Sequence, residues 1–283
     1  NLPPNIANPS YLAEQAEELA NQTDNVSCEI LDEKELKDKV INHLPDNIEN
    51  KVVFQSSSDL PQGCSLAKSR TKPLGTAHAL WCARDVIKGN FVVINADDYY
   101  ARQAFKLITT EAENHFSAIV AYQLKQTLSE NGGVNRGICY LSENNYLLQM
   151  RECEDIQRVD NKIIGKVNNI SEEDIDENIL VSMNFWYFNP QIFPIIQQLL
   201  INTFKSDPTQ LKTSCENECD LPDVIALLKN NHKHSTKVLT SHDAWFGVTY
   251  AADSDYVNNK LTELTNRGIF STIERNMPVE NKS

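Results

Sequence analysis

The stretch Lys72–Tyr100, KPLGTAHALWCARDVIKGNFVVINADDYY, is the most informative part of this chain of 283 residues. A polar loop with a glycine leads through a predicted helix and a turn into the apolar run Phe91–Ile94. Such a run is typical of a parallel strand that is covered on both faces. Asp97 and Asp98 follow at its carboxyl end, the edge at which open α/β sheets bind ligands. Two adjacent carboxylates there suit a hard cation such as Mg²⁺ that carries phosphates. The plainer alternative is that Asp98 caps the next helix and Asp97 is solvated.

Strand and helix patterns alternate on both sides of this stretch. Helices are predicted over Tyr11–Asn21, Lys34–Leu44, Thr76–Ile87 and Ala104–Thr110, and strands over Val26–Leu31, Lys51–Gln55, Phe91–Ile94 and Ser117–Tyr122. This alternation predicts a mainly parallel, doubly wound sheet inside an α/β/α sandwich.

The pattern changes after Gln126. Strands are predicted over Arg136–Leu141, Tyr146–Arg151, Val181–Phe188 and Lys237–Leu239, and helices over Pro190–Phe204, Leu221–Lys229 and Asp255–Thr265. The first two strands are joined by the short polar segment Ser142–Asn145, which predicts a hairpin. The second half therefore adds a small lobe with a mixed sheet to the sandwich.

Charge and composition restrict the class of partner. The chain is 41% hydrophobic and 23% charged, with a formal net charge of −13. These fractions are ordinary for a globular protein, and the negative charge argues against nucleic acid or an anionic membrane as a partner. No apolar run approaches the length that spans a bilayer. An enzyme acting on phosphates would have to gather its cations locally.

The cysteines and the first residues bear on the compartment. Seven cysteines at scattered spacings predict reduced thiols in a cytoplasm. The opening residues, NLPPNIANPS, lack the charged head and the apolar middle of a signal peptide. We therefore expect a cytoplasmic protein, and the sequence leaves open whether it forms a homo-oligomer.

Five segments occur in the order found in a known enzyme family. They are KPLGTAHA (Lys72–Ala79), VINADDYYA (Val93–Ala101), QTLSENGGVNRGIC (Gln126–Cys139), SMNFWYF (Ser182–Phe188) and WFGVTY (Trp245–Tyr250). Together they resemble the sugar-phosphate nucleotidyltransferases, and most closely a bacterial branch of that family.

The resemblance implies a Rossmann-like, GT-A-like fold and an Mg²⁺-dependent nucleotidyltransferase. Such an enzyme joins a nucleoside triphosphate to a sugar 1-phosphate and releases pyrophosphate. It also implies a single nucleotidyltransferase-like domain over residues 1–283, with a nucleotide half over about 1–125 and a sugar half over about 126–270. A GT-A-like glycosyltransferase is a further reading, which the Gly-Thr-Ala loop disfavours.

The resemblance assigns the nucleotide and metal residues. Gly75, Thr76 and Ala77 are expected to contact the nucleobase and ribose, although a plain helix start at Thr76 is the simpler reading. Asp97 is the expected catalytic metal ligand, and Asp98 adds a second carboxylate. Distant relatives take a further acid from the position of Gly247. Asp243 and Asp253 flank that segment, and either can replace it or be an ordinary surface acid. Asp253 is the predicted metal ligand.

The sugar side is assigned in the same way. Arg136 and Gly137 are expected to meet sugar hydroxyls, and Glu152 and Asn184 match sugar-binding residues of the family. The family places basic residues after the glutamate, whereas this chain has Cys153, Glu154 and Asp155. Acids beside a phosphate oppose its binding. Asn184 can equally be a core amide.

The glycine-rich phosphate loop with which the family opens has no counterpart, since no glycine precedes Gly63. Either the natural chain begins upstream of Asn1, or the loop is disordered, or this is a degenerate relative. The degenerate relative would be non-catalytic, binding a nucleotide or a sugar or regulating a partner. Ala101, which stands where the family has glycine, also fits that alternative. We expect one of the first two explanations rather than a degenerate relative, because losing the first strand would leave a sheet edge uncovered.

Overall fold

The computed structural model describes residues 49, 51–67, 70, 72–160, 162–167, 170–172, 174–205, 217–232, 234–247 and 253–269. The helices predicted over Tyr11–Asn21 and Lys34–Leu44 and the strand predicted over Val26–Leu31 lie outside these residues. The described helices are α1 (Thr76–Cys82), α2 (Ala101–Leu107), α3 (Phe193–Phe204), α4 (Leu221–His232) and α5 (Asp253–Asn266). The π-helix Ile108–Ala112 continues α2, and the 3₁₀ turns Leu124–Gln126 and Pro190–Ile192 complete the set.

The described strands are β1 (Phe91–Val93), β2 (Asp98–Tyr99), β3 (Ser117–Gln123), β4 (Val134–Leu141), β5 (Leu147–Val159), β6 (Lys162–Val167), β7 (Ile170–Glu172), β8 (Leu180–Phe188), β9 (Thr236–Thr240) and β10 (Phe246–Gly247). The predicted α/β class, with a central sheet and helices, is confirmed. The hairpin is also confirmed, because β4 pairs antiparallel with β5.

The chain divides into two compact units. The helical unit comprises the described residues up to Gly89 together with Pro190–His232, and it contains α1, α3 and α4, which pack against one another. The sheet unit comprises Asn90–Asn189 and the described residues from 234 onward. The expectation of one domain with a division near residue 125 stays a prediction.

The large sheet of the sheet unit has the order β7-β6-β5-β4-β8-β3-β9, and β1 also pairs with β8. Strands β1 and β3 both run antiparallel to β8, and β3 runs parallel to β9. Thus β1, β3 and β9 share one direction, as an alternation of strand and helix predicts. Strand β8 lies between β1 and β3 and runs the other way. Among the described strands, β3 and β9 form the one parallel pair, so the sheet is mixed.

Two predicted strands differ from the structure. Val92 and Ile94 are exposed rather than covered on both faces, because β1 has a single neighbour among the described strands. The segment Lys51–Gln55 is not assigned as a strand, and its apolar side chains Val52, Val53 and Phe54 are exposed. Strand formers become a strand only when a neighbour takes up their backbone hydrogen bonds, and no described residue does so here.

The core of the sheet unit is built on β3 and β8. Six consecutive residues of β3, from Ser117 to Tyr122, are buried, as are Phe185–Phe188 of β8. Burying a large apolar side chain contributes roughly 1.5–3 kcal/mol. This core fixes the sheet edge from which Asn95, Asp97 and Asp98 follow β1. No helix among the described residues combines the length and the apolar character needed to cross a membrane.

Candidate active site

Asp98 is held in place on the short strand β2. Its Oδ2 accepts hydrogen bonds from Asn95 Nδ2 and from the Tyr100 hydroxyl, each at 2.9 Å. The backbone N–H of Asn95 donates in turn to the Tyr100 hydroxyl at 3.1 Å. The sequence Asn-Ala-Asp-Asp-Tyr-Tyr thus folds back on itself after β1. The turn presents Asp98 half-buried and Asp97 exposed.

Gly247 lies opposite Asp98, where β2 pairs with β10. A Cβ atom added to Gly247 would stand 2.3 Å from Asp98 Oδ1 and 3.1 Å from the ring of Trp245. Any side chain here would therefore displace the carboxylate or the indole. A glycine at position 247 is therefore explained by packing, because Asp98 and Trp245 occupy the space that a side chain would need.

Burial raises the pKa of Asp98, and the charge of Asp97 adds to the rise. The hydrogen bonds from Asn95 and Tyr100 act in the opposite direction. An acid that is partly desolvated beside another acid gains when a cation arrives, since the cation relieves both the burial and the repulsion. The pair is therefore chemically suited to a hard cation.

The residue after this turn has an unusual backbone. Ala101 has φ of +59°, in the left-handed region that residues other than glycine seldom adopt. Its position is the one at which the resembling family has glycine. Tyr100, directly before Ala101, is buried at 2% exposure, and its hydroxyl lies 2.7 Å from the carbonyl oxygen of Met183. Ala101 therefore adopts a backbone conformation that is usually found at glycine.

The two acids that flank the WFGVTY segment have protein partners. Asp253 is buried at the start of α5, where its Oδ1 accepts hydrogen bonds from Ser129 Oγ at 2.9 Å and Asn131 Nδ2 at 2.7 Å. Asp243 Oδ2 accepts the backbone N–H of Gln103 in the first turn of α2 at 3.2 Å. Among the described residues no group of three or more His, Cys, Asp or Glu side chains is placed to hold a metal ion. The assignment of Asp253 as a metal ligand stays a prediction.

The predicted nucleotide loop lies in the helical unit and is packed against residues 217–220. Gly75 has φ of +93°, and a Cβ there would lie 2.3 Å from the carbonyl oxygen of Cys219. Cys219 N–H donates to Leu74 O, and Ala77 N–H donates to Cys219 O, each at 2.9 Å. Gly75 is therefore required by a close approach of two backbones.

Asp220 caps helix α1. Its Oδ1 accepts from both the backbone N–H and the hydroxyl of Thr76, each at 2.9 Å, and the N–H of Leu221 donates to the Thr76 hydroxyl at 3.1 Å. The N–H groups of Thr76 and Ala77 thus already have protein acceptors. Asp220 could not be identified as the cap from sequence, because it is 144 residues away from Thr76. Contact of Gly75, Thr76 and Ala77 with a nucleotide stays a prediction.

A cavity of about 520 Å³ lies beside this loop and is lined by Gln55, Ser57, Leu66, Ala67, Arg70, Lys72, Pro73, Leu74 and His78. His78 is fully buried. Its Nε2 donates to Asp59 O at 2.9 Å, and its Nδ1 accepts from Gln55 Nε2 at 3.1 Å. Burial lowers the pKa of His78, in keeping with this neutral form. Gln55 also donates to Gly75 O at 3.0 Å, so His78 and Gln55 brace the loop.

Arg136 is buried in the sheet unit, and its guanidinium group is hydrogen-bonded to neutral groups. Its Nε and Nη2 donate to the hydroxyl and carbonyl oxygens of Thr127 at 3.2 and 2.5 Å, and its Nη1 donates to Asn135 O at 2.8 Å. Its guanidinium carbon lies 5.1 Å from the ring centroid of Trp245. Burial lowers the pKa of Arg136 to about 10, against the opposing charges of Asp98 and Glu152. It remains a cation at neutral pH.

The remaining sugar-side residues lie around Arg136 on the same sheet. Gly137 pairs with Glu152 on one side and with Ser182 on the other. A Cβ on Gly137 would meet Met150 Sδ at 2.7 Å, so its glycine is explained by packing. Glu152 is exposed and close enough for its charge to act on Arg136. Binding of a sugar by these residues stays a prediction.

The acids after Glu152 have a structural explanation. Asp155 has φ of +54° at an irregularity in the pairing of β5 with its neighbours. Its Oδ2 forms an ion pair with Lys166 Nζ at 2.9 Å, and its backbone N–H donates to Asn135 Oδ1 at 3.0 Å. Cys153 is fully buried. The segment thus interrupts the regular pairing of β5 with its neighbours. The charge of Asp155 is offset by Lys166 on β6.

Asn184 lies at a bulge in β8. The pairing with β3 shifts between Val120 and Ala121, which face Phe185 and Ser182 and leave Met183 and Asn184 as the extra residues. Asn184 has φ of +59° and is exposed, which excludes a core amide. Asparagine tolerates this conformation better than most residues. Its identity is therefore explained by the backbone, whatever it binds.

Comparisons with known proteins give limited matches. No protein-family model matches the chain. Over 38 residues, 13% of its length, the chain is 58% identical to the probable cytosol aminopeptidase of Colwellia psychrerythraea, and it spans 8% of the length of that relative. The structure is similar to the inositol-1-phosphate CTP transferase from T. maritima, with a TM-score of 0.43 and 14% identity over 69% of this chain and 62% of the other. It is also similar to HddC from Yersinia pseudotuberculosis, with a TM-score of 0.44 and 15% identity over 92% and 90% of the two chains. At these levels the relatives do not assign the chain to a family.

Proposed function

We propose that this protein is a nucleotidyltransferase that joins a nucleoside triphosphate to a sugar 1-phosphate. In this reaction an oxygen of the sugar phosphate attacks the α-phosphorus of the nucleotide. The bond from the α-phosphorus to the oxygen that bridges to the β-phosphorus breaks, and pyrophosphate leaves. The protein's part in such a transfer is to position the reactants and to offset their charge.

The observation that carries this proposal is the acid pair after β1. Asp97 is exposed, Asp98 is half-buried with one oxygen fixed by Asn95 and Tyr100, and Gly247 leaves room for the other oxygen. These residues belong to the VINADDYYA and WFGVTY segments, two of the five segments that resemble the sugar-phosphate nucleotidyltransferases. Contacts in the structure therefore join motifs that are about 150 residues apart in the chain.

The donor set fits Mg²⁺. This ion prefers oxygen ligands, and it is commonly held by one or two carboxylates while phosphates and waters supply the rest. Asp97 and Asp98 would hold it here, which needs no third protein acid. When bound, the ion would offset the negative charge of the phosphates. Asn95 and Tyr100 keep the Asp98 carboxylate in one orientation before any ligand arrives.

The other residues are assigned from the same resemblance. Gly75 and the loop braced by Gln55 and His78 would lie against the nucleobase and ribose. Gly137, Glu152 and Asn184 would meet the sugar. The cavity beside the loop has a mixed lining of polar and apolar side chains that includes Arg70 and Lys72, which supports a polar, anionic ligand such as a nucleotide in the helical unit.

A coupled assay for pyrophosphate release tests the proposal. Wild-type protein would be incubated with each common nucleoside triphosphate and a panel of sugar 1-phosphates, with and without Mg²⁺. We expect release with at least one pair and only with Mg²⁺. Asp97→Asn should lower the rate by at least about 100-fold, since it removes a charge from the metal site. Asp160→Asn is the matched control, because Asp160 is also exposed and lies in the turn between β5 and β6. Undiminished activity of Asp97→Asn would remove Asp97 from the site.

One observation favours a second candidate, a non-catalytic protein that binds a nucleotide or a sugar. The N–H groups of Thr76 and Ala77 are already bonded to Asp220 and Cys219, so they cannot hold a nucleotide as the transfer reaction would require, which favours a relative without catalysis. Calorimetry separates the two functions. Nucleotide binding without pyrophosphate release from any sugar phosphate tested would favour the second candidate.

A further inference from the structure

The sheet unit contains a buried arginine, Arg136, that has no ion-pair partner among the described residues. Arg136 is 9% exposed, yet no carboxylate oxygen among the described residues lies within 4.0 Å of its nitrogens. Buried charges are normally paired, because desolvation of an isolated charge is costly. In a chain with a net charge of −13, a buried arginine held by neutral groups therefore calls for an explanation.

The neutral groups hold the guanidinium rigidly. Thr127 accepts from Nε and Nη2, Asn135 accepts from Nη1, and Trp245 lies against the guanidinium face. These bonds use three of the five N–H donors that a guanidinium carries. One N–H on each terminal nitrogen has no acceptor among the described residues. Two such donors match two oxygens of a phosphate.

The nearby acids do not neutralise this cation at contact. Glu152 and Asp98 act on Arg136 through their charge, but neither forms an ion pair with it. Under the proposed function Asp98 is committed to the metal ion. Glu154 and Asp155, which come soon after Glu152, are acids and cannot supply a cation for a phosphate. Lys166 on β6 forms an ion pair with Asp155. Among the described residues of this part of the sheet, Arg136 is the cation that is both buried and held in one orientation.

We propose that Arg136, set by Thr127 and Trp245, is the residue that binds the phosphate group of the sugar substrate. This inference rests on the proposed function and names the group on which its sugar side acts. It changes the expected role of Arg136 from a contact with sugar hydroxyls to a contact with the anion. It also supplies the positive charge that the sequence lacks after Glu152. Selection would favour a phosphate monoester over a neutral sugar.

Inorganic phosphate is the probe, followed by ³¹P NMR line broadening in the whole protein. We expect Arg136→Gln to weaken phosphate binding by about tenfold or more, the usual effect of losing hydrogen bonds to a charged group. Arg151→Gln is the matched control, because Arg151 also stacks on an aromatic ring, that of Tyr140 at 5.3 Å, but is exposed. It should bind phosphate as the wild type does.

A second variant guards against misfolding of the first. Thr127→Val keeps the arginine and its charge but removes the hydroxyl that accepts from Nε. We expect severalfold weaker phosphate binding with a native circular dichroism spectrum. Phosphate binding that is equal in wild type, Arg136→Gln and Thr127→Val would overturn the inference, as would no binding by the wild type. Equally strong binding of acetate would overturn the preference for phosphate.

Nucleotide affinity separates this inference from the proposed function. Binding of a nucleoside triphosphate with Mg²⁺ should be unchanged in Arg136→Gln. If the wild type binds nucleotide but phosphate affinity does not depend on Arg136, the inference fails alone. If phosphate binding depends on Arg136 but no nucleotide binds and no pyrophosphate is released, the proposed function fails and the anion site stands.

Discussion

Ala101 is a residue whose backbone conformation does not suit its side chain. The left-handed conformation costs an L-residue roughly 1–2 kcal/mol, and glycine adopts it freely. We expect Ala101→Gly to raise the free energy of unfolding by up to about 1 kcal/mol, since the greater freedom of glycine in the unfolded chain takes back part of the gain. Urea unfolding would measure the change.

The control for this prediction lies three residues further along α2. Ala104 is fully buried in the interior of the helix, so Ala104→Gly should destabilise by about 1 kcal/mol. Two identical substitutions in one helix thus have opposite expected signs. Equal destabilisation by both would show that the strain at Ala101 is not present in solution.

Asp98 predicts a dependence of stability on pH. Burial raises its pKa in the folded protein above the value of 3.8 for an unperturbed aspartate. The folded state therefore binds a proton more tightly than the unfolded state. This contribution to stability is complete below the unfolded pKa and is lost as the pH rises through the folded pKa.

Asp98→Asn removes this titration. The variant should be more stable than the wild type at about pH 7, and the difference should shrink as the pH falls toward about 4. Urea unfolding across this range without divalent cations would test it. Asp97→Asn, with an exposed side chain, should not show the same convergence. A difference for Asp98→Asn that does not depend on pH would contradict the burial argument.

At the scale of single elements, the sequence pattern predicted those strands and turns that depend mainly on neighbouring residues. The apolar runs of β1, β3 and β8 and the hairpin of β4 and β5 were all predicted from neighbouring residues. The position of β8 between β1 and β3 was not, because strand order depends on pairings across the chain. The strand expected at Lys51–Gln55 failed for a related reason: propensity does not supply a partner strand.

The candidate site divides in the same way. Asp97 and Asp98 were identified because they follow a strand directly. The roles of Gly247 beside Asp98 and of Cys219 beside Gly75 could not be predicted, since each contact joins distant segments. Thr127 was missed as well, because nothing in its neighbourhood shows that it receives a buried guanidinium.

The start of helix α1 depends on such a distant contact. Asp220 accepts two hydrogen bonds from Thr76, and loss of a capping side chain typically costs about 1 kcal/mol. We expect Asp220→Ala to destabilise the protein by about this amount, and Asp220→Asn to retain most of the stability. Chemical unfolding would compare them. If Asp220→Ala leaves stability unchanged, the cap does not form.

At the scale of the whole molecule, the reactivity of the thiols measures which parts of the described fold exclude solvent. Cys64 is partly exposed, whereas Cys82, Cys139, Cys153 and Cys219 are buried thiols. Burial raises the pKa of Cys139 to about 12 and that of Cys219 to about 11. Since the thiolate is the reactive form, both should resist alkylation.

Alkylation with iodoacetamide near neutral pH, mapped by mass spectrometry, measures this directly. Of the five described thiols, Cys64 should react first, even though burial raises its pKa as well. Cys139 should react only when the protein unfolds. Fast labelling of Cys139 in the native protein would mean that the sheet unit opens far more often than its buried core implies.

The position of β8 in the sheet has a consequence for folding during synthesis. One edge of β8 is bonded to β3, and the other edge to β4 and then to β1. A ribosome adding about 5–20 residues per second makes β1, β3 and β4 well before it makes Leu180–Phe188. During those seconds the three earlier strands lack their common neighbour, and the strand edges that will pair with β8 are unpaired. Nascent chains stalled just before and just after β8 emerges should therefore differ sharply in their capture by chaperones.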